Sequence, residues 1–355
     1  MSRSFALEVR RFQASHKILL WMPIAVLILS ATALTQDSAT DQRNPALGTT
    51  AAPAAGDIEF QTALAPVDGR IVYQSAQYGT GGVGLRNRGT GAIGVSGVVT
   101  PVKAAYIYWA VITNGAVKAA DKTIKLQRLS PTPASAVISV AGTLIGSGAT
   151  PCWTPGTTTI SVYRGAVPLT VANGNGLYQV TLLPGAGGTT AGADPWLSYT
   201  PPLFEGASLV IVGTGPAGQR VAIYDTGFAG STFQGNNGLS YTLTLPGTAT
   251  GKLTLLDNIG ADGQEGNSRK AVAGNGDEQT TINGVHIAGP GSNAVDSDWN
   301  GSSGKPLPQL WDDTGHDIMA ATPKGTTALN VDIYITGSPA YVDCMTTVAN
   351  IVAVQ

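Results

Sequence analysis

The sequence predicts an all-β protein, an antiparallel β-sandwich or jelly-roll-like domain behind an N-terminal signal segment. Three observations carry this. Only 12% of the 355 residues are charged, while there are 46 Gly and 21 Pro. Short runs rich in Val, Ile, Thr and Tyr recur between turn-forming residues. No segment holds an amphipathic helical pattern of about 12 residues or more. A helical protein would carry more Leu, Glu, Lys and Arg at helical spacing.

Residues 1–33 read as a secretory signal peptide. Arg3, Arg10, Arg11 and Lys17 stand against one acid, Glu8, and an apolar run from Ile18 to Leu29 follows. Ala31-Thr32-Ala33 is a small-x-small cleavage signal ahead of Leu34. The apolar run is about long enough to span a bilayer as an uncleaved anchor. Pro23 and the Ala-Thr-Ala end favour cleavage. Arg10-Arg11 is followed by Phe12-Gln13-Ala14, not by the residues a twin-arginine signal requires. The expected location is extracellular or at the cell surface, with membrane contact only through an uncleaved leader.

Without residues 1–33 the chain keeps 322 residues, with 16 Lys+Arg against 21 Asp+Glu, a net charge of −5. A mild acidic balance with no basic block argues against nucleic acid as a partner. Residues 34–56, rich in Ala, Thr, Asp, Gln and Pro, read as a flexible linker. Residues 57–355 are long enough for a single large β domain.

Candidate strands follow in order: 70–75, 104–112, 123–129, 136–145, 158–163, 178–183, 207–212, 220–224, 240–245, 252–256, 280–287, 328–335 and 348–354. Leu243 and Leu245, then Leu253 and Leu255, alternate across Gly247–Gly251 and suggest a hairpin. Asn330–Ile335 alternates polar and apolar, as a half-buried strand should. No repeat of 20–50 residues is visible.

Gly213-Thr214-Gly215-Pro216-Ala217-Gly218 follows a strand and has the spacing of a dinucleotide-binding turn. That chemistry needs a helix opening at the glycines to hold the pyrophosphate. The β-branched run from Gln219 to Tyr224 follows instead, so the segment reads as a hairpin turn between two strands.

The acids are unevenly placed. Ten of them, Asp257, Asp262, Glu265, Asp277, Glu278, Asp296, Asp298, Asp312, Asp313 and Asp317, lie between residues 257 and 317. Asp296-Ser297-Asp298-Trp299-Asn300-Gly301 matches the first half of a calcium loop, with oxygens at alternate positions and a glycine for the bend. Leu307 stands where an EF-hand has its bidentate Glu, so Asp312 or Asp313 must close the shell. Asp296, Asp298, Asn300, Asp312 and Asp313 are the candidate calcium ligands, with weak affinity expected. Asp257-Asn258-Ile259-Gly260-Ala261-Asp262-Gly263 is a second, weaker candidate.

No catalytic residues are assigned. Beyond the leader only His286 and His316 remain, with no G-x-S-x-G elbow and no His-rich metal spacing. His316, among Asp312, Asp313 and Asp317, reads as a loop histidine bonded to a neighbouring carboxylate. An exported protein permits a Cys152–Cys344 disulfide, and two unlinked thiols are the alternative.

Several segments resemble, in order, an exported bacterial and archaeal domain of unknown function, number thirty-three forty-four among such domains. They are Ala105–Ala110, Asn173–Tyr178, Glu205–Val212, Val221–Asp225, Leu310–Asp312 and Asp343–Met345, within about residues 104–354. The chain departs from the pattern at Asp313–Asp317, where Gly315-His316 replaces a more apolar turn. The resemblance implies a surface or secreted β domain and assigns no site. The leading expectation is a non-enzymatic structural or adhesive domain, stabilised by calcium, with cell-envelope components or glycans as partners. The alternative is a carbohydrate-binding module or glycan-active enzyme, with Trp109, Trp153, Trp196, Trp299 and Trp311 as candidate sugar platforms.

Overall fold

The structure, a computed structural model, describes residues 71–150, 157–186, 201–227, 237–263, 277–289, 310–336 and 344–355, with 59–60, 67–68, 232–234, 298–299, 301 and 303. The leader, the linker and Cys152 lie outside the described residues. The protein is all-β, as the sequence predicts. Apart from single 3-10 turns at Ala119–Lys122 and Met319–Ala321, the regular elements described are strands.

The strands form four sheets. Sheet I runs β5 (Thr90–Val95), β11 (Gly176–Leu182), β7 (Thr123–Ser130) and β8 (Ile138–Ala141). Sheet II runs β4 (Ala76–Gly84), β12 (Leu203–Thr214), β6 (Val102–Asn114), β10 (Thr158–Ala166) and β9 (Thr143–Ala149). Sheet III runs β19 (Trp311–Asp317), β16 (Thr254–Ala261), β21 (Cys344–Val354), β13 (Arg220–Asp225) and β3 (Ile71–Gln74), with β14 (Thr232–Gln234) also on β21. Sheet IV runs β1 (Glu59–Phe60), β15 (Asn237–Thr244), β20 (Ala328–Thr336), β17 (Asp277–Ile282) and β18 (Val285–Ala288), with β2 (Val67–Asp68) also on β15. Pairing is antiparallel except where β1 and β2 join β15.

Three cores stack these sheets in the order I–II–III–IV. Ile107, Trp109 and Val111 of β6 face sheet I, while Tyr108, Ala110 and Ile112 face sheet III. In sheet III, Val221 and Ile223 of β13 face sheet II, and Ala222 and Tyr224 face sheet IV. Ile351 and Ala353 divide in the same way from Val352 and Val354 of β21. Inner strands bury both faces, which is why their sequences are nearly continuous apolar runs. The outer sheets keep the alternation of a half-buried strand. Leu329, Val331 and Ile333 of β20 are buried, and Asn330 between them is exposed.

Several local expectations change. Leu239–Leu245 and Leu253–Leu255 do not form a hairpin: β15 pairs with β20, and β16 with β19 and β21. The chain crosses from sheet IV to sheet III there. An arch between facing sheets carries the same alternation as a hairpin, so pattern alone cannot separate them. The expected strand 136–145 is two strands in different sheets, parted at Gly142. A Cβ on Gly142 would lie 2.5 Å from the Trp109 ring. The expected strand 280–287 is the hairpin β17–β18, turned at Asn283 and Gly284, with φ of 50° and 76°. Two central residues at positive φ fit the primed hairpin turn that Asn-Gly favours.

The glycine-rich segment 213–218 opens no helix and is not a hairpin. It carries the chain from β12 in sheet II to β13 in sheet III, beside the opposite crossing at Ser75. Gly215 N donates to Ser75 O at 2.8 Å and Ala76 N to Gln219 O at 3.3 Å. A Cβ on Gly213 would fall 2.2 Å from Val99 O. The glycines let backbones pass at contact distance.

Three buried tryptophans lie over glycine: Trp109 over Gly142 and Gly165, Trp311 over Gly206, and Trp299 over Gly260. The indole needs a flat seat, and a strand glycine provides one. In Gly206→Ala the new Cβ would sit 2.4 Å from Trp311 Cγ. The variant is expected to lose about 1–3 kcal/mol to overpacking, measured by urea denaturation.

Candidate functional site

The polar chemistry gathers on β16 and β19, neighbouring strands at one edge of sheet III. Residues alternate across a strand, so the two faces of this pair build two different clusters. Register places Asp257 opposite Gly315 and Ile259 opposite Asp313, so Asp257 and Asp313 share the face toward sheet II. Asn258 is opposite Thr314 and Gly260 opposite Asp312; these four and His316 turn toward sheet IV.

On the sheet IV side the groups form a hydrogen-bonded chain. Asp298 Oδ1 pairs with His316 Nε2, and its Oδ2 accepts from Asn258 Nδ2 at 2.6 Å. Asn350 Nδ2 donates to Asn258 Oδ1. Tyr241 OH donates to Asn350 Oδ1 at 2.9 Å. Asp312 Oδ2 accepts from Gly301 N at 3.0 Å. The expected histidine–carboxylate bond is present, but His316 is on a strand and its partner is 18 residues away. Both oxygens of Asp298 already hold partners, as a buried carboxylate requires.

The sheet II side is different. Asp313 stands against Gly82 of β4, whose missing side chain leaves room for it. Part of the residue reaches the surface, but both carboxylate oxygens are buried and neither has a hydrogen-bond partner. The hydroxyls of Ser208 and Thr80 face it, outside bonding geometry. Burial, reinforced by the charge of Asp257, pushes the Asp313 carboxyl up to about 7. Burial also raises Asp257; the Tyr78 hydroxyl, the neighbouring His316 and the Thr80 hydroxyl offset part of that push, and the charge of Asp298 adds to it. Ser208 Oγ accepts from Trp311 Nε1 at 2.9 Å, which fixes the hydroxyl beside Asp313.

Asp257 also lines an open cleft of about 360 Å³ between the edges of sheets II and III. Tyr78, Thr80, Ser96, His316 and Asp317 line it as well. The cleft gives Asp257 a route to solvent.

The predicted calcium ligands are therefore divided. Asp296 and Asn300 lie outside the described residues. Asp298 and Asp312 face sheet IV, and Asp313 faces sheet II, so those three do not converge on one ion. The weaker candidate, Asp257–Gly263, runs along β16 and its end, with Asp257 and Asn258 on opposite faces. Sequence reasoning missed Tyr78, Thr80 and Ser208. Ser208 left a trace, a lone hydroxyl inside the apolar run Ala207–Val212.

A third cluster ties sheet II to the end of β16. Arg86, after β4, donates through Nε to Glu205 Oε1 at 3.2 Å and through Nη2 to Glu205 Oε2 and to Asp262 Oδ1, the last at 2.7 Å. All three side chains are buried.

The raised acid pair has a consequence for stability. An acid whose folded-state value lies above its unfolded value binds more protons folded than unfolded. Stability then falls as pH rises between the two. In the presence of chelator, the unfolding free energy is expected to drop between about pH 4 and 7, on the order of 2–4 kcal/mol. Asp313→Asn is expected to flatten that slope in urea titrations across pH.

No family model matches the chain, and no curated protein does. Among solved structures, a peptide-N(4)-(N-acetyl-β-D-glucosaminyl) asparagine amidase aligns at 12% identity over 79% of this chain and 96% of its own, with a TM-score of 0.27. The infectious bursal disease virus VP2 subviral particle aligns at 11% identity over 83% of this chain and 74% of its own, with a TM-score of 0.22. Both similarities are distant, and neither bears on what this chain does.

Proposed function

We propose that the protein is an exported domain of the cell surface or extracellular space with a structural or adhesive role. The observation that carries this is where the large side chains go. Trp109, Trp299, Trp311, Tyr108, Tyr178, Tyr224 and Phe204 are all fully buried in the three cores. A sugar platform needs exposed aromatic faces. Trp109, Trp299 and Trp311 offer none, and Trp153 and Trp196 lie outside the described residues. The described tryptophans all go to the cores. The basic leader with its Ala31-Thr32-Ala33 signal supports export, and the resemblance to the exported domain of unknown function supports the same reading.

The test is expression of the full chain with its leader, followed by cell fractionation and mass spectrometry of the N-terminus. The expected product begins near Leu34, outside the cytoplasm. A soluble cytoplasmic protein that keeps Met1 would overturn the proposal.

A further inference from the structure

We infer that Asp257 and Asp313, with the hydroxyls of Thr80 and Ser208, form a binding site for a hard divalent cation, calcium in an extracellular setting, that links sheet II to sheet III beneath the cleft. Two independent features point there. The first is the buried carboxylate of Asp313, both of whose oxygens lack hydrogen-bond partners. A buried charge without a counter-charge is costly, so the folded protein takes up either a proton or a cation at this point, and above neutral pH the cation is favoured. The second is the surroundings. A second carboxyl, Asp257, stands diagonally from Asp313 on the same face of the β16–β19 ladder, over Gly315, and Thr80 of the facing strand β4 lies beside both acids.

The donors are all oxygen. Two carboxylates and two hydroxyls suit a hard cation, and calcium completes its 6–8 ligands with water in open or flexible sites. The cleft beside Asp257 is the entry path and the source of that water. Asp317 at the cleft adds a further negative charge that draws cations in. His316 lines the cleft, but its Nε2 is held by Asp298, and no cysteine lines it among the described residues, which disfavours zinc. With few protein ligands, affinity belongs in the weak extracellular range, a Kd of about 0.1–1 mM. The site is not the one the sequence suggested. It keeps Asp313 of the first candidate and Asp257 of the second, and replaces the loop ligands with hydroxyls from β4 and β12. The inference rests on the exported reading only for its supply of millimolar calcium.

Binding is measured on purified protein, so its failure is separate from failure of export. Thermal melts are run at about pH 8, where the Asp313 carboxyl has lost its proton. Native protein, Asp313→Asn, Asp257→Asn and Asp298→Asn are compared in millimolar calcium and in chelator. Native protein is expected to melt a few degrees higher in calcium, the response is expected to vanish in Asp313→Asn and Asp257→Asn, and Asp298→Asn is expected to keep it. Calorimetric titration of native protein with calcium chloride supplies a readout that does not depend on a folded variant, with one ion per chain expected. Identical melts with no binding heat would overturn the inference and leave a shared proton as the partner. A response lost only in Asp298→Asn would overturn it too, because the ion would then sit on the opposite face.

Discussion

Arg86→Met is expected to destabilise the protein by about 3–5 kcal/mol, the cost of removing one partner from a buried ion cluster. Arg86 is fully buried, and its guanidinium is shared between Glu205 on β12 and Asp262 at the end of β16. Met matches much of the volume, so packing loss is small. What remains is two buried carboxylates that have lost their counter-charge. Asp262 also holds a φ of 69°, with its N–H donated to Leu310 O at 2.9 Å, so the strand end is fixed in place and cannot swing to water. Arg86→Lys is expected to recover part of the loss, since an ammonium restores the charge but not the fork that reaches two acids. Urea denaturation measures all three proteins. A loss under about 1 kcal/mol for Arg86→Met would show that this buried cluster contributes little net stability.

Trp109→Ala is expected to cost at least as much, at the upper end of the 3–5 kcal/mol range for large aromatic truncations in cores. Such costs depend on how well the site collapses. Here collapse is obstructed. Gly142 and Gly165 lie beneath the ring and have no side chains to move into the void. Tyr163 stacks on Trp109 with centroids 5.6 Å apart and loses its partner. Trp109 Nε1 also donates to Asp121 O at 3.0 Å, a buried carbonyl that would lose a donor. Trp109→Phe is expected to cost clearly less, because a ring still covers both glycines. Equal losses for Ala and Phe would mean that the hydrogen bond, not the packing, dominates.

Much of the fold was legible because strands announce themselves. The apolar runs in β6, β12, β13 and β21 were long, β-branched and bounded by turns, and each forms a strand. What the runs did not say is which sheet they join. A residue pattern reports which faces are buried; neighbours are set by crossings such as Ser75 and Gly142, where the signal is a single residue. Asn283-Gly284 carried a hairpin signal that the single expected strand 280–287 passed over. The glycine-rich β4, Ala-Gln-Tyr-Gly-Thr-Gly-Gly-Val-Gly, is absent from the expected strands, because glycine is depleted in strands. Its glycines are explained only by what covers them, Trp311 and Asp313 at Gly82 and Ser96 O at Gly79. The acid-rich last third did mark the polar site. It could not show that Asp312 and Asp313 point to opposite faces until Trp311–Asp317 was seen to be a strand rather than a loop.

The ion between sheets II and III is tested most directly by diffraction from crystals of the native protein grown in millimolar calcium, using calcium's anomalous signal. The expected result is one peak between Asp257 and Asp313, with oxygens of both carboxylates at about 2.3–2.6 Å. An ordered acid pair with no peak between them, or a peak held instead by Asp296, Asp298 and Asn300, would contradict it.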